Sequence, residues 1–190
     1  MYLRSGAEAN VALKGGFVVK ERIPKRYRVQ ELDERIRKER TRAEARLMSE
    51  ARRCGVATPI IHDIYDFTIE MEFIDGKPLK YLVDADICEM VGEVIGRLHS
   101  GGIIHGDLTT SNMIVKDDRI YLIDFGLSFV DSSVESRGVD VHVLFQTLES
   151  THANYEELIE AFCRGYKREL EGADDVLLRV KEIEKRGRYA

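Results

Sequence analysis

Two short segments concentrate the chemistry-bearing side chains of this chain. They are His105-Gly106-Asp107-Leu108-Thr109-Thr110-Ser111-Asn112 and, after eleven intervening residues, Asp124-Phe125-Gly126. In-line phosphoryl transfer requires a carboxylate near the incoming oxygen and hard oxygen ligands that keep Mg²⁺ on the β- and γ-phosphates of ATP. Asp107 is the candidate for the first role, Asn112 and Asp124 for the second. Four residues separate Asp107 from Asn112, a loop short enough to bring both side chains to one cleft. Either segment alone is a weak signal. An Asp-Phe-Gly tripeptide is commonly a turn after a strand, and a lone histidine commonly caps or packs a loop. The ordered pair at this spacing is specific.

Several elements must position these residues. Met113 to Val115 reads as a buried strand and Arg119 to Ile123 as its hairpin partner across an Asp117-Asp118 turn, so Asp124 leaves a strand end beside Asn112. The order and spacing match the catalytic loop and metal-binding segment of protein kinases. Upstream, Met1 to Lys20 reads as short strands around Ser5 to Asn10 and Lys14-Gly15-Gly16. A lone Gly6 is far from a Gly-x-Gly-x-x-Gly loop and by itself suggests a hairpin turn. Lys20 ends the apolar run Phe17 to Val19, where a kinase strand lysine would hold the α- and β-phosphates.

Gln30 to Arg53 predicts a long charged helix with Leu32, Ile36, Ala43, Leu47 and Ala51 as its apolar stripe, closed by Cys54-Gly55. At 100° per residue, Glu39 and Glu44 lie on opposite shoulders of that stripe, and periodicity does not choose which one meets Lys20. Two strands, Ile60 to Tyr65 and Thr68 to Phe73, lead into the polar link Glu72 to Pro78. In a two-lobed kinase this link is the hinge, and backbone groups at Glu72 and Ile74 would hold adenine. Further helices are expected over 85–99, 140–148, 155–170 and 174–185. The fold class is α+β: a small N-lobe (1–74) with an antiparallel sheet and one long helix, and a reduced, mainly helical C-lobe (75–190).

Length fits one such two-lobed domain. A net charge of -5 argues against a surface that coats nucleic acid. Charged residues at 33% are compatible with a thermophilic source. Cys54, Cys88 and Cys163 are widely separated and form no Cys-x-x-Cys pair, so neither a disulfide framework nor a zinc site is indicated. No leader and no membrane-length apolar run is read, which makes a cytoplasmic location without membrane partners the default.

The string from His105 to Met113, with Leu122 to Phe129, Gly138-Val139-Asp140, Ser150-Thr151-His152 and Arg186-Gly187-Arg188, resembles the small atypical kinase family of the KEOPS (EKC) complex, the PRPK-like family. The resemblance covers nearly the whole chain, including Gly6 to Ala9 and Glu44-Ala45-Arg46, and an archaeal source is expected. It implies Lys20 paired with Glu44 rather than Glu39, Asp107 as catalytic aspartate, and Asn112 and Asp124 as Mg²⁺ ligands. Gly6, Ala7, Glu8, Ala9 and Asn10 would form the phosphate loop, and Asp140 would buttress the catalytic loop, although as sequence alone it also suits a helix N-cap. The implied activity is ATP-dependent Ser/Thr kinase or ATPase function supporting threonylcarbamoyl-adenosine synthesis on tRNA. The implied partners are a threonylcarbamoyltransferase subunit on the C-lobe and a small KEOPS subunit on the N-lobe, with tRNA reached indirectly.

Departures from ordinary kinases shape the expectation. Gly106 stands where His-Arg-Asp has arginine, so the guanidinium that reads a phosphorylated activation loop is missing. The segment from Gly126 to Asp140 is short, no Ala-Pro-Glu appears, and 64 residues follow Gly126, which favours ATP turnover over recognition of protein substrates. The ending Lys181, Lys185, Arg186, Arg188 is a local basic cluster, read either as a solvated helix end or as a surface near the transferase subunit or its tRNA. A RIO-type ribosome-biogenesis kinase and a nucleotide-binding pseudokinase scaffold are the competing readings.

Overall fold

The computed structural model describes residues 2–6 and 8–187. Ala7 of the expected phosphate loop and Arg188 of the basic ending lie outside the described residues.

Strands β1 (Tyr2–Ser5), β2 (Ala9–Lys14) and β3 (Phe17–Arg22) meander into an antiparallel sheet. Helix α1 (Gln30–Arg53) intervenes before β4 (Ile61–Tyr65) and β5 (Thr68–Glu72) complete it in the order β1-β2-β3-β5-β4. The register sets Lys20 between Val11 of β2 and Ile69 of β5.

The two halves of α1 are fastened differently. Ala45, Leu47, Met48 and Ala51 bury the C-terminal half, as the helical period requires. The N-terminal half departs from the expected stripe, because Leu32 is exposed. The buried face there carries Asp33 and Thr41 at helical spacing, with Arg37 between them. Asp33 accepts from the Lys25 amide (3.2 Å) and Arg37 Nε (2.7 Å), and the Arg37 guanidinium stacks 3.6 Å over the Phe67 ring. Polar contacts to the β3–α1 connection and to Phe67 take the place of apolar packing.

Past Glu72 the chain changes sheets. β6 (Lys77–Pro78) pairs with β8 (Met113–Lys116), and β8 with β9 (Arg119–Leu122). Asp117 and Asp118 both have positive φ (48° and 56°), the geometry that matches a two-residue hairpin turn to strand twist. Between these strands lie α2 (Ala85–Ser100), N-capped by Asp84 Oδ1 on the Ile87 amide (2.8 Å), and β7 (Ile103–Ile104). β10 (Phe129–Val130) pairs with β7.

Three helices close the chain: α3 (Val134–Thr151), α4 (Tyr155–Glu169) and α5 (Ala173–Gly187). α2 and α4 cross at a glycine: a Cβ built on Gly165 would lie 1.9 Å from the Glu89 carbonyl oxygen. Around this crossing Ile95, Leu98, Phe162 and Tyr166 are fully buried and continue into Leu108, Met113 and Phe125 beneath the candidate loop. α3 begins at Val134 rather than Asp140, because Ser133 caps it by accepting from the Ser136 amide (3.2 Å). Asp140 is therefore an interior helix residue, and the N-cap reading of it is corrected. No helix of the described residues is long and apolar enough to cross a membrane.

Candidate functional site

One wall of the cleft is the loop from His105 to Asn112. It is anchored from below by Asp140, which is buried. One carboxylate oxygen accepts the His105 amide (2.8 Å) and the other the Gly106 amide (2.9 Å), while His99 Nε2 donates to the first (3.1 Å). Because a carboxylate can only accept, the neutral imidazole presents its Nε2–H to Asp140 and receives the Tyr166 hydroxyl on Nδ1 (2.7 Å). Burial holds the His99 pKa below its ordinary value against the opposing pull of Asp140. Burial alone would raise the Asp140 carboxyl, but the hydrogen bond and electrostatic pull of His99, together with His105 and its amide, outweigh it and the pKa is lowered.

Backbone conformation then aims the loop. Gly106 sits at φ +80°, and a Cβ there would lie 2.3 Å from the Leu127 carbonyl oxygen. The arginine of an ordinary His-Arg-Asp loop could not be accommodated at this position without moving the chain. Asn112 folds back to donate its Nδ2 to both the Asp107 carbonyl (2.9 Å) and Asp107 Oδ2 (2.8 Å). His105 bonds the Ile123 carbonyl through Nε2 (3.1 Å), which ties the loop to the strand end preceding Asp124.

The opposite wall is built from side-chain ion pairs. Lys20 Nζ lies 2.5 Å from Glu44 Oε1 and 2.6 Å from Asp124 Oδ1. Glu44 is 2% exposed, and its second oxygen is taken by Arg22 Nη2. Burial on its own would lower the Lys20 pKa, but Glu44 and then Asp124 outweigh it and hold the ammonium above its ordinary value. Burial likewise pushes Asp124 up, and Lys20 reverses the sign, leaving the carboxyl below the usual range. Asp124 itself adopts φ +64°, a left-handed conformation that aspartate tolerates better than most residues. Glu39 is exposed. The choice that helical periodicity left open thus falls to Glu44.

A cleft of about 210 Å³ is lined by Gly6, Glu8, Ala9, Lys20, Asp107 and Asp124, among others. Gly6 donates its amide to the Ala9 carbonyl (3.0 Å), a tight turn at the cleft mouth. Glu8 pairs with Lys25 (2.8 Å) and Arg40 (3.4 Å), and Asn10 stands opposite Glu21 in the β2–β3 register. Glu72 ends β5 with its amide on the Ile60 carbonyl (2.8 Å), and Ile74 is buried with its carbonyl accepting from the Gly76 amide (3.0 Å). Neither lines this cleft. Glu72 instead borders a larger hollow of about 530 Å³ behind the strand, which holds none of the converging residues Lys20, Asp107 and Asp124.

Sequence reasoning missed Arg22, Arg40, His99 and Tyr166. Arg22 had a readable signal, since two residues past Lys20 on a strand is the same face. Arg40 had a weaker one, four residues before Glu44 on the helix. The His99 and Tyr166 contacts join helices α2, α3 and α4, and no local spacing encodes them. Chemically, the cleft juxtaposes a carboxylate held by an amide (Asp107), a buried ammonium, and oxygen donors on Asp124 and Asn112. The Asn112 amide oxygen accepts no hydrogen bond among the described residues, so it and the Asp124 carboxylate form a donor set suited to a hard cation such as Mg²⁺.

Comparison with known proteins gives the family and the fold. Residues 18–156 match the family model described as RIO domain. The chain is 60% identical over 193 residues to a "Probable bifunctional tRNA threonylcarbamoyladenosine biosynthesis protein" of Methanosarcina barkeri, covering 99% of this chain but 35% of that protein. It thus spans about a third of the length of such relatives. It is also 50% identical to a "Probable serine/threonine-protein kinase BUD32 homolog" of Archaeoglobus fulgidus, covering 97% of this chain and 94% of that protein. With the KEOPS complex subunit Bud32 of Pyrococcus abyssi the identity is 41%, over 98% and 95% of the two chains. Among solved structures, the Rio2 kinase–ADP/Mg²⁺–phosphoaspartate complex of Chaetomium thermophilum superposes with a TM-score of 0.65 at 16% identity, covering 98% of this chain and 70% of that one. The fold is protein-kinase-like, and with near full-length identity to the two archaeal homologues the chain belongs to the Bud32 family of RIO-domain proteins.

Proposed function

We propose that this chain is an ATP-dependent phosphotransferase and ATPase of a KEOPS complex, supporting threonylcarbamoyl-adenosine modification of tRNA, with Ser/Thr kinase activity. The observation that carries it is the convergence of Lys20, Glu44 and Asp124 with Asp107 and Asn112 on one cleft. Lys20, held by Glu44, orients the α- and β-phosphates. The turn from Gly6 to Asn10 covers them, and backbone groups at Glu72 and Ile74 hold adenine. Asp107, fixed by the Asn112 amide, aligns the incoming hydroxyl or water and accepts its proton as the new P–O bond forms and the bond from the γ-phosphorus to the β,γ-bridging oxygen breaks, with ADP leaving. Asp124 and Asn112 are the residues that would hold Mg²⁺, and the chemistry it would supply is neutralisation of phosphate charge.

Identity over nearly the whole of two Bud32 proteins favours this reading over a ribosomal RIO kinase, with which the RIO domain is shared. The name of the methanosarcinal relative supports a place in tRNA threonylcarbamoyladenosine biosynthesis, and we infer a threonylcarbamoyltransferase subunit as the partner. We place that partner on the C-lobe, a smaller subunit on the N-lobe, tRNA at one remove, and the assembly in the cytoplasm. Activation by loop phosphorylation is disfavoured, because seven residues separate Gly126 from the start of α3. Release of phosphate from γ-labelled ATP, measured for the chain alone and with the transferase subunit and tRNA, tests the proposal. Turnover that rises in the complex is expected. No turnover in either setting would leave the scaffold reading in its place.

A further inference from the structure

We propose that Arg22 is a second phosphate-binding cation of this cleft, working beside Lys20; the proposal rests on the ATP-site reading above. Arg22 closes β3, with its backbone pinned to Phe67 by an amide–carbonyl bond of 2.9 Å and to Ala9 by the β2 register. Two residues from Lys20 on a strand, its side chain takes the same face and lines the same cleft as Lys20, Asp107 and Asp124.

Three details point to a ligand rather than to a purely internal brace. The side chain is 5% exposed, and its buried Nε has no hydrogen-bond partner among the described residues. A buried guanidinium N–H left unmade is costly, and such groups are normally completed by something. The Arg22 and Lys20 head groups also converge. A Cβ placed on Gly126 would lie 3.4 Å from Arg22 Nη2 and 3.6 Å from Lys20 Nζ, so the two cations flank one spot beside Asp124. The turn over the cleft carries a single glycine, Gly6, and offers fewer close backbone amides than a glycine-rich loop. A planar guanidinium that can grip two phosphate oxygens makes up that deficit. The ligand class is the di- or triphosphate of a nucleotide. Glu44 gives one oxygen to each cation and holds the pair in register.

Calorimetric titration of ADP and of adenosine into wild type, Arg22→Lys and Arg22→Met, each repeated with Glu44→Gln, separates contact from bracing. Arg22→Met is expected to weaken ADP about tenfold, Arg22→Lys less, with adenosine unchanged and the ADP loss persisting beside Glu44→Gln. If Arg22→Met does not fold, as judged by thermal melting, Arg22→Gln is read the same way. Equal losses for ADP and adenosine, or no further loss beside Glu44→Gln, would reduce Arg22 to a support for Glu44. A wild-type chain that binds neither compound would overturn the nucleotide-site reading itself, and Arg22's role with it, whatever the variants do.

Discussion

The two walls of the cleft are held by different kinds of bond. On the C-lobe side, a buried carboxylate at Asp140 takes consecutive backbone amides of the loop, and His99 and Tyr166 lock that carboxylate from behind. On the side of the N-terminal sheet the chemistry rests on side-chain ion pairs. Lys20, Arg22, Glu44 and Asp124 hold one another as side chains across a strand, a helix and a loop. Backbone anchoring preorganises a loop, whereas an ion pair can exchange one partner for a ligand at modest cost. The Lys20–Asp124 pair is where the two walls meet. It is therefore the contact expected to yield when phosphates and Mg²⁺ arrive.

The largest effect should come from breaking the preorganised wall. Asp140→Ala leaves two loop amides and His99 without their acceptor, and removing one partner of a buried charged network typically costs about 3–5 kcal/mol. Urea denaturation should show a loss of that order, and Asp140→Asn a smaller one. A loss below about 1 kcal/mol, the net worth of one ordinary hydrogen bond, would mean that the loop is held by something else.

The ion-paired wall should fail differently. Lys20→Met and Glu44→Gln are each expected to lower ATP turnover about a hundredfold, the scale of losing one preorganised electrostatic partner. The double variant should lose little more, since the two act as one unit. Glu39→Ala should be silent, because Glu39 is exposed on α1. Additive losses would show that Lys20 and Glu44 work separately.

The smallest expected effect is a pH dependence seated in the rigid wall. The buried His99 has a depressed pKa, so below about 6.5 the unfolded chain binds a proton that the folded chain refuses. Stability should fall as the pH drops through that value, by up to about 1.4 kcal/mol per unit. His99→Gln should flatten the slope of melting temperature between pH 7 and 5, a range about that reference value. An unchanged slope would assign the titration to another group.

Where sequence and structure agreed, the signal was local. The spacing of Asp107, Asn112 and Asp124 and the Asp117-Asp118 hairpin are each contained within a few residues, whereas the strand expected to end at Lys20 runs on to Arg22, with Lys20 in its interior. What escaped was either tertiary or masked by charge. Leu32 looked like core but is exposed, because the buried face of α1 is fastened there through Asp33 and the Arg37–Phe67 stack. The start of α3 was missed because Ser133 offers a cap with no apolar run directly behind it. Glu44 was undecidable from periodicity, since both glutamates flank the stripe and the partner lies 24 residues away in β3.

Mg²⁺-dependent ATP turnover of Asp124→Asn, compared with wild type, tests the central claim most directly. Asp124 joins the two walls, and on the proposed reading it is an anionic oxygen ligand for a hard cation. A folded variant with wild-type melting behaviour should lose about a hundredfold or more of its turnover, with little rescue by excess Mg²⁺. Near-normal turnover in that folded variant would contradict the account.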